Sequence, residues 1–330
     1  MTIICDAFGG DNAPLEILKG CAQAVNELDV DIILTGDKKI IQKVAQENNI
    51  SLNRMTIEHT EDTISMCDDP GEILKSKNEC SMAVGLKLLS EGKGDAFVSA
   101  GSTGALLIGS TFIVKRIKGI KRCALAPIMP NNEGMHMLID SGANVECRAE
   151  MLQQFGIMGS IFMDKVMNVK NPRVGLLNVG TEDTKGGPMQ KEAFALLKNS
   201  GINFIGNVEA RDIPYGGVDV LVADGFTGNV FLKLYEGMAG AMLINLKEIM
   251  LKNTVSKLAA MMLKPGLRDF KRKMSTEQYG GAPVMGVAKP VFKAHGNSNA
   301  TAFKNAILRA KEFASENAVG IISQAIGNIK

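Results

Sequence analysis

The chain has no tryptophan, three tyrosines and three histidines in 330 residues, and its net charge is only +2. So few aromatics offer no stacking platform for single-stranded nucleic acid, and so small a charge excludes wholesale binding to a phosphate backbone. His59, His136 and His295 stand far apart without metal-ligand spacing, so no metal site is expected. The six cysteines at 5, 21, 67, 80, 123 and 147 form no C-x-x-C pair and read as reduced thiols, not as a disulfide frame. G-x-G-x-x-G after a strand, G-x-x-x-x-G-K-[ST] and G-x-S-x-G are all missing. Their absence argues against a dinucleotide fold, a P-loop kinase and a serine nucleophile elbow. No Cys–His or Ser–His pairing marks a covalent nucleophile either. The opening MTIICDAFGGD has no basic n-region and meets Asp6 at once, unlike a secretory signal. Residues 96–114 are an uncharged run of 19, but Gly101-Ser102-Thr103-Gly104 interrupts them, so a strand, polar loop and helix fit better than a membrane span. A cytosolic protein is expected.

Glycine is abundant, at 35 residues, and it recurs at one kind of place. Residues 218–237, VDVLVADGFTGNVFLKLYEG, open with a buried-strand pattern and break at Asp224 to Asn229. Helical spacing then resumes at Val230, Leu234 and Met238. A strand ending in a Gly-containing loop before a helix is where α/β proteins seat anions on free N–H groups. Five strand ends carry such loops, around Gly9, Gly101, Gly142, Gly180 and Gly225. Alternating strands and helices predict a doubly wound α/β fold with a mostly parallel sheet, whose strand-end loops share one crevice. The pattern places 123–129 and 135–139 in an antiparallel hairpin and makes 148–165 a nearly uncharged, buried helix. A long helix is expected over 230–262, ending at Pro265-Gly266, with a short basic stretch over 267–274. Together they form a helical hairpin leaving the body. Irregular structure is expected to restart at 280–283, and Ser298 to cap a last helix reaching about 329.

The candidate binding residues follow from these loops: Gly9, Gly10 and Asp11, then Gly101, Ser102, Thr103 and Gly104, then Asn144. Glu182, Gly186, Asn207, Glu209, Asp224, Gly225, Gly228 and His295 complete the set. Ser102-Thr103-Gly104 is either a phosphate cradle or an ordinary N-cap. Lys185, a cation among small residues at a strand end, points to charge neutralisation, although lysines are more often solvated. Asn229 offers an uncharged donor at the mouth of a helix, suited to a developing oxyanion. Asp224 is a loop-fixing residue or a proton carrier, and His295 is a ligand or a capping aid.

Six motifs then carry a resemblance. DAFGGDNAP at 6–14, SAGSTGALL at 99–107 and IDSGAN at 139–144 are followed by LLNVGTEDTKG at 176–186, VADGFTGNVFLKLYEG at 222–237 and GGAPVMGV…HGNS at 280–298. In that order, over almost the entire chain, they resemble the bacterial phosphate acyltransferases of phospholipid synthesis. Phe8, Ser102 and Thr181 depart from the family's common Met, Asn and acidic residue, and Lys289-Pro290 interrupts a usually Gly-containing stretch. None of these changes removes Lys185, Asp224 or Asn229.

The resemblance implies an α/β/α sandwich related to phosphotransacetylases and isopropylmalate dehydrogenase-like folds. It implies a long-chain acyl group moving from acyl carrier protein to inorganic phosphate, with no cofactor, and product passing to a glycerol-phosphate acyltransferase. It also implies a homodimer, cytoplasmic and peripherally associated with the membrane. A thioester is already activated, so the protein has to aim phosphate, neutralise it and stabilise a tetrahedral oxyanion. Positioning supplies roughly 7–11 kcal/mol in favourable cases. Lys185 and the Ser102–Gly104 loop are assigned to phosphate, and Asn229 to the oxyanion. The rivals are a ligand-sensing module and a short-chain phosphotransacetylase using coenzyme A.

The chain is thus read as one catalytic domain over 1–330 with a helical protrusion at about 240–275. At its tip Val255, Leu258 and Met262 share a face, and Lys257, Lys264, Arg268, Lys271, Arg272 and Lys273 outnumber Asp269. Apolar residues beside cations suit an anionic bilayer surface. A helical pair that forms the dimer, or a dock for the acidic carrier protein, fits the same pattern.

Overall fold

The structure, a computed structural model, describes residues 1–274 and 276–329. The side chains of Lys271, Arg272, Met274, Thr276 and Glu277 lie outside that description, so the expected basic tip is described only in part. β1 (Thr2–Asp6), α1 (Leu15–Leu28), β2 (Asp31–Gly36), α2 (Lys38–Glu47) and β3 (Met55–His59) open the chain. They are followed by α3 (Ser81–Ser90), β4 (Ala96–Ser99), α4 (Thr103–Gly109) and the short β5 (Ala124–Leu125). The middle holds β6 (Ile128–Asn131), β7 (Gly134–Ile139), α5 (Ala149–Lys165), β8 (Val174–Asn178), α6 (Pro188–Lys198), β9 (Phe204–Glu209) and β10 (Val220–Val222). A helical pair, α7 (Gly225–Leu251) and α8 (Thr254–Met274), precedes β11 (Ala282–Met285), β12 (Val291–Lys293), α9 (Ala300–Ser315) and α10 (Ala318–Gly327).

The strands form two sheets where one was expected. The first runs β3-β2-β1-β4-β12-β11-β5 and is parallel except at β11, while the second runs β6-β7-β10-β8-β9 and is parallel except at β6. The division falls inside the stretch read as one strand over 123–129. Ala124–Leu125 pairs with β11, and Ile128–Asn131 turns back on β7 as the expected antiparallel hairpin. Pro127 stands between them without an N–H to continue a ladder.

The inner strands are apolar and buried on both faces, as parallel strands with helices on each side must be. One large cluster of buried side chains contains residues of both sheets. Its centre includes Phe162 on α5, with ring centroids 6.5 Å from Phe292 of β12 and 5.4 Å from Phe313 of α9. α5 itself lies on β7 and β10, so its uncharged sequence matches the buried place it takes.

The helical region also departs from expectation. α7 starts at Gly225, inside the expected loop, because the Asp224 carboxylate accepts from the Thr227 N–H at 2.9 Å and caps it there. The long helix ends at Leu251, well short of 262, and Asn253 caps its successor by accepting from Ser256 N at 2.9 Å. α8 then passes through Pro265, which was expected to stop it. Residues 282–285 are a strand, β11, where irregular structure was expected. The last helix is capped by Asn299, not Ser298, and is two helices separated at Asn317, whose φ is 49°. Among the described residues no helix is long and apolar enough to cross a membrane.

Candidate active site

The first sheet reverses its strand order between β1 and β4, the place where open α/β sheets bind ligands. The ends of β1, β4 and β12 are adjacent there and are tied to each other. Asp6, buried at the end of β1, accepts from the Ser81 and Ser99 hydroxyls at 2.6 and 2.7 Å. Burial pushes its carboxyl up, and the hydroxyl and backbone donors pull it partly back. The loops after β1 and β4 touch so closely that a Cβ on Gly9 would stand 2.6 Å from the Gly101 nitrogen. Asp11 N donates to Gly296 O at 2.8 Å, and Asn12 Nδ2 donates to Asn297 O at 3.0 Å, which binds the loop after β12 to the same place. The Ser102 hydroxyl accepts from Ala105 N at 3.4 Å, so it serves as the N-cap of a short helix.

In the second sheet the ends of β7, β10, β8 and β9 stand in a row. Asp140, buried after β7, accepts from Leu125 N, Ala143 N, Asn144 N and Asn144 Nδ2 at 2.7–3.1 Å. Asn144 also donates to Cys123 O at 2.7 Å and accepts from Gly225 N at 2.7 Å. It therefore links the first sheet, the β7 loop and the start of α7 structurally. Any Cβ on Gly228 would collide with the Asp140 carbonyl, so only glycine lets α7 come this close. Asn229 then lies against Gly142, exposed, its side chain making no hydrogen bond among the described residues. Asp224 is the helix cap, one of its two expected roles.

Lys185 rises from the loop after β8 over Gly180. It is 45% exposed, with Nζ 3.6 Å from Glu182 Oε1. Asn178 Nδ2 holds this loop through Lys185 O at 3.2 Å and Asn207 Oδ1 at 3.0 Å, and Asn207 Nδ2 donates to Glu182 O at 2.8 Å. Gly186 has φ +85°, and a Cβ there would stand 2.8 Å from Asn178 Oδ1, while Glu209 pairs with Arg211 at 2.8 Å. Asn207 and Glu209 thus have protein partners already.

Between the sheets lies a crevice of about 710 Å³. Its lining mixes polar residues, among them Thr103, Lys293 and His295, with apolar ones, among them Leu125, Ile128 and Met129. Of the residues expected from sequence, Thr103 and His295 line it, and Asn229 stands one residue from Ser141 across Gly142. Gly10, Gly101 and Gly104 belong to its rim loops, while Lys185 and Glu182 are not among its lining residues. Sequence reasoning missed Lys293, Ser141 and the two organising carboxylates Asp6 and Asp140. A lysine ending the apolar run VFK just before HGNS was the signal for Lys293. Four of the thiols are held back from activation: burial pushes Cys80 and Cys147 up to about 11, and Cys5 and Cys123 upward too. Among the described residues no group of His, Cys, Asp or Glu side chains is gathered to hold a metal ion.

The comparisons with known proteins agree with this architecture. Residues 1–320 match the family described as Fatty acid synthesis protein. A phosphate acyltransferase of Acetivibrio thermocellus is 47% identical over 332 residues, covering 100% of this chain and 98% of that protein. One from Alkaliphilus oremlandii is 46% identical over 329 residues, again covering 100% and 98%. Among solved structures, the EutD phosphotransacetylase from Staphylococcus aureus superposes with a TM-score of 0.64 at 17% identity, covering 95% of this chain and 94% of that one, a likeness of fold alone. Full-length identity at this level, on a fold with a two-sheet crevice, means that the chain belongs to the phosphate acyltransferase family.

Proposed function

We propose that this protein moves a long-chain acyl group from acyl carrier protein thioester to inorganic phosphate, giving an acyl phosphate. The observation that carries this reading is the crevice between the sheets, whose lining combines a cation and hydroxyls that suit phosphate with apolar residues that suit an acyl chain. A phosphate oxygen attacks the thioester carbonyl and forms the new C–O bond. The carbonyl electrons collect on oxygen, and their return breaks the C–S bond, with the departing thiolate taking the proton that the hydrogen phosphate gives up. Asn229 donates to the oxyanion, while Lys185 and the Ser102–Gly104 loop, through Thr103, serve phosphate. The test compares long-chain acyl carrier protein with acyl coenzyme A as donor, scoring phosphate-dependent release of free carrier, with and without added metal. Preference for the coenzyme A thioester would make the protein a phosphotransacetylase, and ligand binding without turnover would make it a sensor.

Lys185→Ala is expected to lower kcat/KM for phosphate about tenfold or more in a folded protein, since bonds to charged groups are among the stronger ones. Its only ion-pair partner among the described residues is the exposed Glu182, so the fold does not depend on it. Wild-type kinetics would remove Lys185 from the site.

The helical pair supports the finer readings. Phe226, Val230, Leu234, Met238 and Met242, spaced by four on α7, are 53–66% exposed, a continuous apolar stripe on the unpartnered side. A second copy covers this stripe in a homodimer. At the tip Val255, Leu258 and Met262 are exposed beside Lys257 and Lys264, whereas Lys273 is already engaged with Asn132 O at 2.9 Å. This tip docks on anionic lipid from the cytoplasm, so that a poorly soluble acyl phosphate leaves beside a glycerol-phosphate acyltransferase. Leu258→Glu with Met262→Glu is expected to abolish co-sedimentation with anionic vesicles and leave activity and dimerisation intact. Undiminished lipid binding refutes the docking, and loss of the dimer assigns the tip to the subunit interface.

A further inference from the structure

We propose that Lys293 is the inner cation of the crevice, contacting the acceptor anion directly. Phosphate is taken as that anion on the strength of the acyl-transfer reading above. Lys293 ends β12, beside β4 at the carboxyl edge where the first sheet reverses its order, and its side chain lines the crevice. It is only 8% exposed, whereas lysines are almost never buried without a partner of opposite charge. Among the described residues it has no ion-pair partner. Its Nζ donates to the carbonyls of Ala100 at 3.2 Å and Ala294 at 2.5 Å. Those carbonyls fix the ammonium beneath the cavity and use two of its three donors, leaving one for a ligand.

The surroundings suit an oxyanion. Thr103 brings a hydroxyl to the same cavity, His295 brings an imidazole, and the apolar lining residues Leu125, Ile128, Met129 and Leu232 keep the local dielectric low; the Ser141 hydroxyl is already engaged by Leu125 O. An anion there interacts far more strongly than at the exposed Lys185. Keeping a cation in such a place costs stability, which is the usual mark of a group retained for ligand binding.

Burial lowers the ammonium from the usual lysine range to about 8, while the carboxylates of Asp11 and Asp6 pull the other way. The other titratable side chains lining the cavity are His295 on the same loop and Lys233, Tyr235 and Glu236 on α7. The sign is then set. Below about pH 8 the side chain is charged and binds anion, and above it the neutral amine loses the anion.

The test uses the full chain with two probes, inorganic phosphate and sulfate. Sulfate keeps its charge across this range, so its affinity reports the protein group alone. Calorimetric titration of wild type is expected to show sulfate affinity falling through about pH 8, by about tenfold per pH unit above it. Lys293→Met, which removes the charge but keeps an unbranched stem, is expected to lose that fall. It should also weaken phosphate and sulfate binding at pH 7 by tenfold or more, and raise Tm because a buried cation is gone. In turnover, its KM for phosphate rises while its KM for the thioester does not. Lys293→Arg keeps binding and moves the fall to higher pH. Wild-type affinity for both anions in a folded Lys293→Met protein overturns the assignment, and so does a pH fall that survives the substitution. Anion binding that depends on Lys293 in a wild type without phosphate-dependent turnover upholds this site and sinks the acyl-transfer reading instead.

Discussion

Asn229→Ala is expected to lower kcat by about 10²–10³, the usual cost of removing one oxyanion donor, with little change in KM for phosphate. Three structural facts lead to that size. Gly228 lets the first turn of α7 lie against the Asp140 carbonyl, so the Asn229 side chain is held at Gly142, next to the Ser141 of the crevice wall. Its amide is engaged by no group of the protein among the described residues, so it is available to substrate without first breaking a bond. The helix start does not depend on it, because Asp224 supplies the cap through Thr227. A donor that acts on charge appearing only in the transition state changes kcat, and a ground-state ligand changes KM. Steady-state kinetics under phosphate saturation separate the two. Lost saturation with normal kcat would make Asn229 a phosphate ligand. Asn229→Asp, with the same shape and a negative charge, should fall at least as far, since it would repel the oxyanion.

Phe162→Ala is expected to reduce unfolding free energy by about 3–5 kcal/mol, a large share of the usual 5–15 kcal/mol. The ring is 1% exposed and sits between Phe292 of the first sheet and Phe313 of α9, on a helix that covers β7 and β10 of the second. Truncation leaves a cavity where elements of both sheets meet. Urea unfolding followed by two probes, one in each sheet, measures the change. Coincident transitions, both shifted by the same amount, are the expected result for a single cooperative unit. A shift confined to one sheet would mean that the sheets are separate units, and a loss below about 1 kcal/mol would mean that the site collapses around the missing ring.

Much of the architecture was legible in the sequence because short-range physics writes it there. The β-branched run before Asp224, the Asp37 cap of α2 and the near absence of charge in α5 each name an element from a few adjacent residues. The same holds for the strand-end loops. Their glycines mark close approach, and Gly9 and Gly228 have backbone groups where a side chain would be. Where local signals competed, they misled. Pro265 reads as a stop, yet α8 continues through it, and the break between the two helices falls instead at Asn253, which caps the second. Ser298 reads as a cap, yet Asn299 takes that place, and the Ser298 hydroxyl donates to His295 O.

What the chain alone determined was the order of elements, the loops that bear the chemistry and, through six motifs in sequence, the family. What only the tertiary structure decided was how those loops are shared between two sheets and which of them face one cavity. Two residues separate β5 from β6, yet they belong to different sheets; Pro127 marks a break in the ladder, but nothing in 123–129 states that the two halves join different sheets. Asn144 and Asn207 look like ligands in sequence and turn out to have their donors engaged by Cys123 and Glu182 carbonyls. Lys293 is the opposite case, an ordinary lysine until its Nζ meets the carbonyl of Ala100, 193 residues away. Helix caps and apolar periods act over a turn or two, so the sequence carries them locally. Burial of a charge depends on chain brought from afar, and it exists only once the sheets have packed.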